Sequence, residues 1–96
     1  MVVLITYDVE TSSKDGQRRL RRVAKQCVNY GQRVQNSVFE CSLDPGQFAE
    51  LRFKLIEIID KETDSIRFYF LGNNWKRRIE YIGKITSYDI TDSLII

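Results

Sequence analysis

The chemistry open to this chain rests on one carboxylate and a crowd of cations. Asp8 closes the run Val2-Val3-Leu4-Ile5-Thr6-Tyr7, and a short apolar run of this kind reads as a strand buried on both faces. An acid is rare at such a place unless it is paired or holds a cation. The plainer reading is that Asp8 only opens the polar loop Glu10-Thr11-Ser12-Ser13. The chain has no histidine, which removes Ser-His-Asp and Cys-His catalysis, two-histidine nuclease chemistry and nearly every zinc site. Any hydrolysis therefore falls to carboxylates and a hard cation. Magnesium binds through one or two carboxylates, several waters and phosphate oxygens, so Asp8 is the candidate Mg²⁺ ligand.

The cations gather on one predicted helix, from about Lys14 to Tyr30. Leu20, Val23, Ala24, Cys27 and Val28 follow the spacing of one buried stripe. Lys14, Arg18, Arg22 and Lys25 fall opposite it, and Arg19 and Arg21 flank it. Six cations thus face one acid, Asp15, on a single-signed surface that repels itself until an anion arrives. The alternative is a merely solvated face. Lys76, Arg77 and Arg78 make a second basic cluster, so both are candidate nucleic-acid contacts although the net charge is only +2.

The elements that must position these residues follow in order. Ser12 and Asp15 have the spacing of a capping box, and Gly31 stands where a helix C-terminus needs one. Gln32 to Leu43 reads as extended structure interrupted at Gln35-Asn36-Ser37. Asp44-Pro45 starts a second helix, with a stripe of Phe48, Leu51, Leu55, Ile58 and Ile59 and an end near Lys61; Phe53 lies off the stripe. Ser65 to Leu71 and Arg78 to Gly83 read as strands around the turn Gly72-Asn73-Asn74.

Strand, helix, strand, strand, helix, strand is the α+β, ferredoxin-like βαββαβ pattern, here with an extra C-terminal strand. The expectation is one domain over residues 1–83 and a tail over 84–96. The tail's Leu94-Ile95-Ile96 is expected to dock on a partner subunit or another protein. Helices can cover one sheet face only, yet the first strand carries apolar residues on both, so a homodimer packed sheet to sheet is expected. Such a dimer would duplicate Asp8 and supply a second carboxylate. Ser87-Tyr88-Asp89-Ile90 echoes Thr6-Tyr7-Asp8-Val9, but no buried strand precedes it, and Asp89 is set aside. No apolar run is long enough to span a bilayer and no charged leader is evident, so no membrane association is expected. Cys27 and Cys41 lie in apolar patterns without C-x-x-C spacing. They read as buried free thiols of a cytoplasmic protein, a disulfide being the alternative.

The opening Leu4-Ile5-Thr6-Tyr7-Asp8-Val9, the basic first helix, the segment Gly31-Gln32-Arg33-Val34-Gln35-Asn36-Ser37-Val38-Phe39-Glu40-Cys41 and the turn Leu71-Gly72-Asn73-Asn74 together resemble the small CRISPR-associated protein family Cas-two. The resemblance covers essentially the whole chain. It implies a homodimer that works with the integrase Cas-one in spacer acquisition, the antiviral step that stores foreign DNA, and that helps hold duplex DNA. It also implies metal-dependent endonuclease activity on RNA or DNA, with single-stranded RNA a further partner. The family's metal-binding aspartate falls on Asp8, its neighbouring tyrosine on Tyr7, and the arginine and aromatic of the second-strand region on Arg33 and Phe39. The phosphate-contacting helix residues correspond loosely to Arg18, Arg19, Arg21 and Arg22.

Two classes of function follow. As an enzyme, Asp8 from two subunits holds Mg²⁺ for phosphodiester hydrolysis, with Tyr7 and Arg33 orienting or neutralising the phosphate. As a scaffold, the cations grip duplex phosphates without reading sequence. A third reading, an RNA-binding module built on Arg67-Phe68-Tyr69-Phe70, lacks the RNP1 pattern.

Overall fold

The computed structural model describes residues 1–72 and 78–84. It contains β1 (Val2–Asp8), α1 (Lys14–Tyr30), β2 (Gly31–Gln35), β3 (Val38–Ser42), α2 (Pro45–Ile58), β4 (Ser65–Leu71) and β5 (Arg78–Gly83). The strands form one antiparallel sheet in the order β2-β3-β1-β4-β5. This is the expected α+β, ferredoxin-like architecture, with the extra strand added beside β4. β1 is the central strand, paired on both edges, by β3 and by β4, yet within one chain its run is buried on one face only: Val3, Ile5 and Tyr7 are buried, while Val2, Leu4 and Thr6 are partly exposed.

Period-two alternation divides the sheet into two unlike faces. Val3, Ile5 and Tyr7 of β1, Phe39 and Cys41 of β3, and Ile66 and Phe68 of β4 are all buried on one side. They belong to a single core with Val23 and Cys27 of α1 and Leu51, Leu55 and Ile58 of α2. Each such aliphatic or aromatic side chain contributes about 1.5–3 kcal/mol of transfer free energy. Phe48 closes the core edge-on against Phe68 and Phe70, at centroid distances of 5.3 and 5.1 Å. The opposite face carries Val2, Leu4, Thr6, Val38, Arg67, Tyr69, Ile79 and Tyr81, all partly exposed. No helix covers it among the described residues.

The helix termini show where local chemistry departs from the sequence reading. The N-cap of α1 is Ser13, whose hydroxyl accepts from the Gly16 N–H at 3.0 Å, one residue later than Ser12. Asp44 and Gln47 do form the reciprocal capping box of α2 behind Pro45. That helix ends at Ile58 rather than near Lys61. Val28 is 58% exposed, because it lies eight residues past Leu20 and the stripe has drifted outward by then. Gly31 is not a left-handed cap: its φ of −163° is extended. Glycine is required there by proximity, since a Cβ would collide with the Cys41 Sγ and the Glu40 carbonyl oxygen. The turn between β2 and β3 sits at Asn36 and Ser37, with a register shift between Arg33 and Gln35.

Candidate functional site

Antiparallel pairing places Asp8 opposite Ser65 and Thr6 opposite Arg67. Residues two apart on a strand share a face, so Thr6, Asp8, Ser65 and Arg67 all lie on the side that the helices leave open. Thr6, Tyr7, Asp8, Ser65 and Arg67 line a recess of about 210 Å³ there. Asp8 is exposed, and among the described residues its carboxylate makes no hydrogen bond or ion pair. The Arg67 guanidinium lies 5.4 Å from the centroid of the Tyr81 ring and donates to the Tyr69 hydroxyl at 3.4 Å. The Tyr81 hydroxyl is buried and has no hydrogen-bond partner among the described residues.

Tyr7 and Arg33 occupy the other side of the sheet. Tyr7 is 5% exposed and stacks on Phe39 with centroids 6.1 Å apart and planes at 22°. Its hydroxyl donates to the Asn36 carbonyl at 3.4 Å. Burial pushes the Tyr7 phenol up from its ordinary pKa, the neighbouring Cys27 adds to the rise, and Arg33 opposes it. Arg33 lies 5.1 Å from the centroid of the Phe39 ring. The Tyr7 ring, Phe39 and Arg33 are therefore brought together on the helix side; Tyr7 also borders the recess beside Asp8, whereas Phe39 and Arg33 do not. Phe39, expected at an interface, is fully buried and offers no surface to a second chain. A bulky aromatic on the inward phase of β3 fills the core before it can reach a partner.

Lys14, Arg18, Arg21, Arg22 and Lys25 are all exposed on α1. At about 100° per residue they fall within one sector about 100° wide, and from Lys14 to Lys25 they run about 17 Å along the axis. Arg18 touches Asp15 at 3.3 Å, with both side chains mostly exposed, a weak pairing that a phosphate can displace. Arg19 departs from the expected set. Its Nε donates to Asp64 at 2.8 Å, and its side chain is only 18% exposed. Its position beside Val23 turns it inward rather than toward solvent. Lys76, Arg77 and the tail with Leu94, Ile95 and Ile96 lie outside the described residues, and of Arg78 only the backbone, at the start of β5, is described.

Asp64 was not legible as a site. Its side chain is fully buried and accepts from Arg19, from the backbone N–H groups of Glu10 and Asp60, both at 2.9 Å, and from the Thr63 hydroxyl at 3.0 Å. Burial alone would raise this carboxyl, but the hydrogen bonds from Arg19, Asp60, Glu10 and Thr63 together outweigh it and hold the pKa below the ordinary carboxylate value. Asp64 ties the loop after Asp8 to the start of β4, and so fixes the end of β1. Ser65 and Arg67 were likewise missed beside Asp8; only the pairing of β1 with β4 reveals them.

Among the described residues no three acidic, cysteine or histidine side chains cluster as a metal cage. Among those residues, one chain offers Asp8 alone at this recess. That suits Mg²⁺ only where phosphate oxygens, water or a second Asp8 complete the shell. Cys27 and Cys41 are free and buried. Burial pushes the Cys27 thiol up to about 12, and burial also raises Cys41, so neither is a thiolate ligand or nucleophile at neutral pH. No helix among the described residues is long and apolar enough to cross a membrane.

Known proteins resemble this chain throughout. The CRISPR-associated endonuclease Cas2 of Halalkalibacterium halodurans is 59% identical over 95 residues, covering 99% of each chain. The CRISPR-associated endoribonuclease Cas2 of Chlorobaculum tepidum is 55% identical over 96 residues, covering 100% of each. The crystal structure of Streptococcus pyogenes Cas2 superposes with a TM-score of 0.72 at 63% identity, covering 78% of this chain and 90% of that one. The family model for CRISPR associated protein Cas2 matches residues 1–79, and the chain belongs to that family.

Proposed function

We propose that the chain is a divalent-metal-dependent endonuclease acting on a nucleic-acid phosphodiester, and that it works as a homodimer packed sheet to sheet. The observation that carries this reading is Asp8 itself: an exposed, unpaired carboxylate at the rim of a half-apolar sheet face that no helix covers among the described residues. A second copy laid on that face brings a second Asp8 into reach, and two carboxylates with phosphate oxygens suit Mg²⁺. Bound there, the cation would supply Lewis acidity and a more acidic water. The chain's own part is to present Asp8 from a strand paired on both edges and to keep the loop behind it fixed through Asp64. The names of the relatives from H. halodurans and C. tepidum, an endonuclease and an endoribonuclease, support the same reaction class. The test is cleavage of RNA and of duplex DNA by wild type and Asp8→Asn, each with Mg²⁺ and with EDTA. Cutting that needs both Asp8 and the metal is the expected result; undiminished cutting by Asp8→Asn refutes it.

A second reading is favoured by the outward row Lys14, Arg18, Arg21, Arg22 and Lys25. Such a row suits a duplex backbone, and the protein then holds DNA for the integrase Cas-one during spacer acquisition in the cytoplasm. Reconstituted integration that requires this chain yet tolerates Asp8→Asn would assign holding, rather than cutting, as the role in that step.

A further inference from the structure

Among the described residues, the arginine on the Asp8 side of the sheet is Arg67, whereas Arg33 is on the far side. We propose that Arg67, with the hydroxyls of Thr6 and Ser65, forms a phosphate subsite beside Asp8 that receives a backbone phosphate of the nucleic-acid strand. This rests on the reading of Asp8 as the cleavage site and deepens it by naming the group that neutralises the phosphate.

Three observations carry the inference. First, the recess of about 210 Å³ is lined by one acid, one guanidinium and three hydroxyl-bearing residues, Thr6, Ser65 and Tyr7, the last with its ring turned to the helix side; it has space for several waters or for a phosphate group with its hydration. Second, Arg67 is partly buried, yet its side chain pairs with no carboxylate among the described residues. Its partners are the Tyr81 ring face and the Tyr69 hydroxyl, which fix the plane of the guanidinium and leave N–H donors unspent. By contrast, Arg19 and Arg52 are neutralised by Asp64 and Glu80. Third, the strand register fixes the spacing. Asp8 faces Ser65 and Thr6 faces Arg67 across one ladder, so the acid and the guanidinium stand on adjacent strands two residues out of step. A site for phosphodiester cleavage needs such a pair, a carboxylate for the cation and a planar donor fork for the non-bridging oxygens. Arg33 cannot serve in the same chain, because the sheet lies between it and Asp8.

The experiment uses inorganic phosphate as the probe. Its titration is followed by the Nε–Hε resonance of Arg67 in the full-length protein, and cleavage by Arg67→Gln and Arg67→Lys is measured beside Asp8→Asn. The expected result is a saturable Arg67 shift, reduced in a Thr6→Val, Ser65→Ala double variant. Arg67→Gln should cut roughly 10²-fold more slowly with an unchanged Mg²⁺ affinity and thermal midpoint. Arg67→Lys should recover part of the rate, since it keeps the charge and loses the fork. A resonance indifferent to phosphate, or Arg67→Gln cutting at the wild-type rate while Asp8→Asn is dead, overturns the subsite and leaves Asp8 as the cleavage site. Undiminished cutting by Asp8→Asn with a saturable Arg67 shift overturns the cleavage site and upholds the phosphate-binding role.

Discussion

A buried carboxylate with its hydrogen-bonding capacity filled by four groups is a structural rivet, and Asp64 holds the end of β1 in that way. Asp64→Ala strands two backbone N–H groups and a guanidinium, and should cost about 3 kcal/mol by denaturant titration. The folded-state pKa of Asp64 is depressed, so its contribution is fully present above the ordinary carboxylate pKa of about 4 and is lost as pH falls through the folded value. Wild type should therefore lose stability in acid below about pH 4, and Asp64→Asn should show a shallower acid limb. The thiols make a second residue-scale test. With Cys27 pushed up to about 12 and both cysteines buried, alkylation at neutral pH should proceed only as fast as the protein opens, measured as mass gain with and without urea. Asp8 is conspicuous in sequence as an acid ending an apolar run, but that run alone suits a plain loop start as well, and the family resemblance and the expected dimer are what single it out as a metal ligand. Asp64 was not legible, because an acid after Glu62-Thr63 reads as an ordinary loop residue until Arg19, 45 positions away, is folded against it.

At the scale of elements, α1 is an amphipathic helix whose outer row of cations is the proposed duplex contact. Replacing Arg18 and Arg22 with Gln should weaken duplex binding uniformly across sequences. It should also make the dependence of log affinity on log salt shallower, by up to about 0.9 for each phosphate that is no longer neutralised. Arg19→Gln should act mainly on the thermal midpoint instead, because that guanidinium is engaged with Asp64. The strand boundaries and the split at Gln35-Asn36-Ser37 were readable from period-two alternation and turn residues. The reason for Gly31 was not, because it depends on how closely β2 passes Cys41 and Glu40 on β3. Gly31→Ala should therefore destabilise by about 1–3 kcal/mol through overpacking.

For the whole molecule, the decisive feature is the mismatch between the two faces of the sheet. One is sealed by α1 and α2; the other presents Leu4, Val38, Tyr69 and Ile79 among polar neighbours, with a buried Tyr81 hydroxyl that has no partner among the described residues. Leu4→Glu should convert a sheet-to-sheet dimer to monomer, halving the mass in sedimentation equilibrium, since like charges would meet across the axis. The ferredoxin-like order was readable because each element announces its own period. The opposite placement of Tyr7 and Asp8 was readable too, from period two along β1. The company Asp8 keeps was not, because Ser65 and Arg67 join it only through the register of β1 with β4. The central claim is that Asp8 from two chains holds one divalent cation. The direct measurement is Mg²⁺ binding by titration calorimetry on wild type and Asp8→Asn. One ion per two chains, lost in Asp8→Asn, is predicted; no binding, or binding that Asp8→Asn leaves unchanged, contradicts it.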